Sequence, residues 1–347
     1  MEVRSRILIG HGQGHGLGVC LFAGLILCLI SPTFGYGAPS YEIAALFSGL
    51  ASSEPAEVER ANTALESLCF EAGRPGAEGE RKALSLAIAA NLGPQVSVQA
   101  RTFLLRGLET LGKGEVTAVL GQLLSPEHAP AVREGARRAL EANPHVKSKR
   151  ELRKALSYSE GDFLIAIIGS LGARHDFLAT ADLIAHAEEG DDQVRLGAMA
   201  ALAEIGDISA VTVLEVALDE MRGTELVRVE RAYLRLANSL VRNGERGPAR
   251  RIYERAMGMR SSARAAALIG FARAHLQSEV GRIVGTLEDP DIRVRGAARE
   301  AAAILPGQKM TRALLAKLAR SEDPSRRLEL LEILARRGVK GPEKKAQ

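Results

Sequence analysis

One template recurs along this 347-residue chain with a period in the low thirties, and that period limits what the chain can fold into. In D-D-Q-V-R-L-G-A-M-A-A-L-A-E-I-G, Asp191 to Gly206, Val194 is followed by Ala198, Leu202 and Ile205 on one helical face, and Gly206 stands where a helix closes. Laid at Val294, the template gives Ala298, Ala302 and Leu305 before Pro306. At Val132 it gives Ala136 and Leu140 before Pro144, and at Ala100 it gives Leu104, Leu108 and Leu111 before Gly112. Further copies start at Glu160 (Leu164, Ile168, Leu171), Ala263 (Ala267, Phe271) and Arg326 (Leu330, Leu334). The seven anchors are 32, 28, 34, 69, 31 and 32 residues apart, so the interval of 69 must hold two units.

Such a period accommodates two helices and a turn. A second apolar helix lies between successive anchors, as in A-V-T-V-L-E-V-A-L from Ala210 or M-T-R-A-L-L-A-K-L from Met310. A single hairpin of this kind is too thin to bury its own apolar face, so neighbouring hairpins must cover it. The chain has no Trp and only 4% aromatic residues, which suits helices packed through small and aliphatic side chains better than an extended sheet. The expected fold class is all-α, an α-solenoid of stacked helical hairpins over residues 95–340.

The residues that recur carry a resemblance. D-P-D-I-R-V-R-G-A-A-R-E-A-A-A-I-L, Asp289 to Leu305, and the unit from Asp191 resemble HEAT repeats of the short bacterial kind, sharing the Asp, the Val-Arg pair and the small residues. The units at 132 and 326 share fewer of these features, and at 160 a glutamate, Glu160, replaces the valine. The resemblance implies that the aspartate caps the incoming helix. It also implies that Arg195, Arg293 or Arg295 reaches a carboxylate or carbonyl of the adjoining unit. The unit hidden in the long interval, with Tyr233, Leu236, Ala237, Leu240, Gly244, Ala249, Tyr253 and Ala256, is similar to a tetratricopeptide hairpin, although Ser261 stands where the closing proline belongs. Ahead of the repeats, helices are expected at 41–51, 56–70 and 80–92, making residues 38–94 an atypical helical cap. The polar tail is 341–347.

The first residues read differently. Arg4 and Arg6 precede the uncharged run V-C-L-F-A-G-L-I-L-C-L-I, Val19 to Ile30, which is short for a bilayer span and fits the hydrophobic segment of an export signal. The small residues Gly35, Gly37 and Ala38 place the expected cleavage after Gly37, so residues 1–37 are expected to be a removable leader and the mature chain periplasmic or secreted, with no stable membrane span. The alternating glycines of I-L-I-G-H-G-Q-G-H-G-L-G do not make a dinucleotide-binding loop. Cys69 is then the sole cysteine of the mature chain, placed among apolar helix positions where a small buried residue belongs.

Motifs that carry chemistry are scarce. G-L-E-T-L-G-K-G, Gly107 to Gly114, approaches a phosphate-binding loop, but Gly114 replaces the hydroxyl residue and Leu108 and Leu111 are repeat positions. His128, His145, His175, His186 and His275 are scattered over different units, without metal-ligand spacing or a serine nucleophile signature. His175-Asp176 is expected at a solvated turn. No cofactor, metal or catalytic set is expected, and the chain is read as no enzyme.

Charge is informative. Residues 38–175 carry sixteen basic and sixteen acidic side chains; residues 176–230 carry thirteen acids against three arginines; residues 231–347 carry twenty-five basic against twelve acidic. Two readings follow: solvated faces whose charges balance along the row, or surfaces that select different partners or dock copies head to tail. Arg246, Arg250, Arg251 and Arg255 share one expected helix and are the candidate partner-binding residues; Lys147, Lys149, Arg150, Arg153 and Lys154 form a second cluster. Neither cluster has interleaved aromatics that could stack on bases. The expected function is an exported scaffold binding a protein or peptide through the solenoid surface. Binding of nucleic acid or another polyanion by the basic C-terminal half is the alternative. A bilin-lyase-like enzyme is a further possibility implied by the resemblance.

Overall fold

The computed structural model describes residues 40–339, so the leader expected at 1–37 and the tail at 341–347 lie outside the described residues. Among the described residues there are eighteen α-helices and no strand. The first five are α1 (Ser40–Leu50), α2 (Pro55–Ala72), α3 (Glu78–Ala90), α4 (Val98–Leu111) and α5 (Thr117–Gln122). They are followed by α6 (Pro130–Ala142), α7 (Val146–Leu156), α8 (Gly161–Ala173), α9 (Thr180–Glu189), α10 (Asp192–Ile205) and α11 (Ala210–Glu220). The chain continues through α12 (Gly223–Arg242), α13 (Arg246–Ala256), α14 (Ser261–Arg273), α15 (Val280–Thr286), α16 (Ile292–Ile304), α17 (Gln308–Arg320) and α18 (Pro324–Arg336).

The helix starts follow local chemistry. The Asp191 carboxylate accepts hydrogen bonds from the backbone N–H groups of Gln193 and Val194, both at 3.0 Å. Asp291 and Asp323 accept from Arg293 N (2.8 Å) and Ser325 N (2.9 Å) in the same way. Pro55, Pro130 and Pro324 open α2, α6 and α18, where a missing N–H costs nothing.

The helices form two rows. In the first, α4, α6, α8, α10, α12, α14, α16 and α18 each pack on the next; the second row, α5 to α17 in odd numbers, covers one side of it. One continuous apolar core runs between the rows from Leu46 to Leu334. The first row is closely spaced because small residues stand at its contacts. A Cβ added at Gly172 of α8 would lie 2.7 Å from the Ala201 Cα of α10, and one at Gly135 of α6 would lie 2.9 Å from Leu105 Cδ1 of α4. We call the solvent side of this first row, opposite the second row, the inner face.

Carbonyls left open at helix ends are closed by side chains of other elements. The repeat arginine bonds the end of the preceding second-row helix: Arg133 Nε donates to Leu124 O (3.1 Å), Arg195 Nε to Ala187 O (3.1 Å), Arg295 Nη1 to Asp289 O (2.7 Å) and Arg327 Nη1 to Leu318 O (2.9 Å). Arg293 pairs instead with the cap Asp291 (3.3 Å). Three first-row ends are closed from both neighbouring repeats. The end of α4 receives Arg81 (Leu111 O, 2.6 Å) and Asn143 (Lys113 O, 2.9 Å). The end of α10 receives His175 Nδ1 (Glu204 O, 2.8 Å) and Asn243 (Gly206 O, 3.0 Å). The end of α16 receives Gln277 (Pro306 O, 2.6 Å) and Arg337 (Ala302 O, 2.6 Å; Gly307 O, 2.9 Å).

Two expectations need correction. The unit anchored at Glu160 is displaced by three residues: Glu160 takes the cap position that Asp191 holds in α10, and Phe163 takes the place of Val194. The Phe163 ring is too large for the valine site and lies instead under the Arg133 guanidinium, 3.9 Å from its centroid. Asp176, expected to be solvated, is only 3% exposed because the Arg153 guanidinium pairs with it across the repeat boundary.

Candidate partner-binding surface

The four arginines singled out from sequence all lie on α13, a second-row helix, but they do not act as one cluster. Arg250 is held by Glu254 (2.9 Å) and Glu279 (3.1 Å), and Arg255 by Asp219 (2.9 Å) and Glu215 (3.5 Å). Arg246 and Arg251 are exposed and make no ion pair among the described residues. The cluster on α7 is tied down similarly. Arg150 and Lys154 pair with Glu151, Arg153 with Asp176, and Lys149 donates to His175 O (3.3 Å). Much of the acidic excess at 176–230 is also absorbed, since Asp176, Glu204, Glu215, Asp219 and Glu230 pair with arginines from outside that segment.

The inner face presents a different arrangement. Positions at helical spacings of three and four form one solvent-facing stripe on each first-row helix. On α8 the stripe is Asp162, Ala166, Gly169 and Ala173; on α10 it is Gln193, Gly197, Ala200 and Glu204. Apart from Asp162, Gln193 and Glu204 at the ends, these side chains are small, so the middle of α8 and α10 forms a shallow floor. On α12 the equivalent positions are Arg231, Arg235, Asn238 and Arg242, and Arg228 extends the stripe by one turn. On α14 the stripe ends in Arg273, which is exposed.

These arginines are poorly neutralised. Glu204 is shared by Arg235 (2.9 Å) and Arg242 (4.0 Å), while Arg228 reaches only the neutral Gln193 Oε1 (3.2 Å). Arg231 and Arg273 have no ion pair among the described residues. The stripe was legible as R-x-x-R-x-x-x-R-x-x-N-x-x-x-R from Arg228 to Arg242. Summing charge over 176–230 and 231–347 cut it in two.

Two of the other grooves lie toward the ends of the stack. A groove of about 420 Å³ at the last repeats is lined by Glu288, Lys317 and Arg326, with Glu288 paired to both cations at 2.8 Å. These cations, Lys317 first, hold the Glu288 carboxyl below the usual carboxylate range. A groove of about 300 Å³ between α2 and α4 is lined by Leu65, Cys69, Phe70, Phe103 and Arg106. Burial, reinforced by Glu66, pushes the Cys69 thiol up to about 11, so it is protonated and inert at neutral pH. Gly107–Gly114 is the end of α4 and its loop, with Lys113 paired to Glu78 (3.0 Å). Among the described residues no group of His, Cys, Asp and Glu could hold a metal ion. No described helix is long and apolar enough to cross a membrane.

No protein-family model matches the chain, and no curated protein does. Among solved structures it is similar to an engineered protein from a structural genomics consortium, with 18% identity over 85% of this chain and 88% of that one (TM-score 0.40). It is also similar to a mutant of Kap121p, with 13% identity over 85% of this chain but only 41% of that longer one (TM-score 0.45). A third similar structure is human deoxyhypusine hydroxylase in complex with glycerol, with 16% identity over 86% and 97% (TM-score 0.29). The last corrects one expectation. Reading the chain as no enzyme rested on finding no catalytic set in the sequence, and an enzyme stands among the structures it is similar to. What the chain itself establishes is a helical-repeat solenoid.

Proposed function

We propose that this chain is an exported scaffold of HEAT-type repeats that binds a protein or peptide partner along the inner face formed by α8, α10, α12 and α14. The observation that carries this reading is the small-residue floor of α8 and α10 beside the arginine stripe of α12. Stacked hairpins make long curved surfaces without further design. A floor of Ala and Gly lets a partner's backbone approach closely, as in tight helix packing. Flanking arginines supply orientation and selectivity through charge. The HEAT reading draws on the capping aspartates and on the Val-Arg arginines that bond the preceding helix end.

Site-specific photo-crosslinking in the native host tests the surface. A crosslinker at Gly169 or Ala200 should capture a discrete protein adduct, and one at exposed Val216 of the second row should not. Adducts at Val216 alone, or none at the inner positions, would remove the inner face from consideration. Export is tested separately by sequencing the N-terminus of native material: Ala38 is expected, and Met1 would overturn that part of the proposal.

A further inference from the structure

We infer that the segment held on the inner face is an acidic helix of another protein, its carboxylates taken by the arginine stripe of α12. This deepens the reading of the inner face as the binding surface and rests on it. Among the described residues Arg228, Arg231, Arg235, Arg242 and Arg273 have between them one ion-pair partner, Glu204, which two of them share. Some exposed arginines elsewhere in the stack have partners, such as Arg138 with Glu109 (3.1 Å) and Arg336 with Glu300 (2.6 Å), and others, such as Arg246 and Arg251, have none; the inner face differs in lining up its arginines at helical spacing along one side of α12.

Like charges three and four residues apart destabilise the helix that carries them, and α12 carries Arg228, Arg231 and Arg235 in that spacing. A repulsion left without an internal counterion is relieved by one from outside. Arginine remains charged at any physiological pH, and its planar fork matches a carboxylate with two hydrogen bonds. From Arg228 to Arg242 the stripe runs about 21 Å along the helix, the reach of roughly four helical turns of a partner. A partner helix with acids at the same three-and-four spacing would meet the stripe in register, with its apolar side on the Ala and Gly floor.

The alternative anion, a nucleic-acid strand, fits less well. None of the stripe positions on α8, α10, α12 or α14 is aromatic, so unpaired bases would have nothing to stack on. The floor of α8 and α10 offers small apolar groups, which a charged phosphate backbone does not use.

Fluorescence anisotropy with the full chain decides the matter. The probe is a labelled helical peptide of about 20 residues with Glu at three-and-four spacing on an Ala-Leu background. Its Gln and Lys counterparts and a single-stranded DNA of similar length are the comparisons. The Glu peptide should bind, the Gln peptide more weakly and the Lys peptide not at all. Arg231→Ala, Arg235→Ala and Arg242→Ala combined should weaken the Glu peptide by about tenfold, given the modest worth of each exposed ion pair. Arg312→Ala with Arg320→Ala on the second-row helix α17 should leave it unchanged, and circular dichroism should show both variants fully helical. Equal binding of the Glu and Gln peptides, or no loss in the triple variant, overturns the inference. Tighter binding of DNA, lost in the same variant, replaces the acidic helix with nucleic acid. If Gly169 and Ala200 still capture a partner while the Glu peptide fails, the inner face stands and only the acidic identity falls.

Discussion

Two glycines of α8, three residues apart, should respond to the same substitution with opposite sign. Gly169 is exposed, and a Cβ there would meet nothing within 4 Å. Gly169→Ala therefore stabilises the helix by about 0.5–1 kcal/mol, the ordinary cost of a helical glycine. At Gly172 the added Cβ would lie 2.7 Å from Ala201 Cα and 2.9 Å from Ala201 Cβ, against 3.4–4 Å for ordinary contact. The nearest atom is backbone, so α8 and α10 must part by about 0.7 Å (3.4 minus 2.7) before the methyl fits. Overpacking of this kind costs about 1–3 kcal/mol, which meets or exceeds the gain in helix propensity. Ala201→Gly in the Gly172→Ala background should recover only part of the loss, because the Cα remains. A long repeat stack need not unfold in one step, so hydrogen exchange of the α8 and α10 amides is the suitable assay alongside urea denaturation. Amides in α8 and α10 should exchange faster in Gly172→Ala and slower in Gly169→Ala. If Gly172→Ala were as protected as the parent, the close spacing assigned to the inner row would be wrong.

His275 holds a left-handed backbone (φ 56°) that glycine adopts at less cost, so His275→Gly should raise the thermal midpoint, by about 0.5–1 kcal/mol in stability. His175 has the same conformation (φ 47°) but also bonds Glu204 O, so His175→Gly should gain less or lose. Asp191→Ala removes a carboxylate accepting two backbone N–H groups and should cost about 1 kcal/mol, read by denaturation against an Asp192→Ala control on the same turn. Burial raises the Cys69 pKa from 9.0 to about 11, so its protonated form is favoured more in the folded chain than in the unfolded one. The stability it confers is complete below about pH 9 and is lost as pH rises toward 11. Cys69→Ala should flatten that part of the stability–pH curve, and a thiol reagent should label the parent at pH 8 only as fast as it opens.

The repeat period, the capping aspartates and the first-row core positions were legible because each depends on residues within one or two helical turns. The register slip at 160 arose where Phe163 stands at the valine position of the template and a glutamate lies three residues before it, so that Glu160 looked like a poor anchor when it is a cap position. The ion pairs of Asp176 and of Arg250 and Arg255 on α13 were not legible, for another reason. Their partners, Arg153, Glu279 and Asp219, lie 23, 29 and 36 residues away and meet them only when repeats stack. The α12 stripe needed no long-range knowledge, only a helical spacing applied to charge as it had been applied to hydrophobicity.

The double closure of the α4, α10 and α16 ends divides the row at every third hairpin. A beam clamped at intervals bends between its clamps, and α12 and α14 occupy the span between α10 and α16. The hairpins between clamps, those of α6 and α8 and those of α12 and α14, are then the two spans along which the radius would adjust, and the arginine stripe of α12 lies on the second of them.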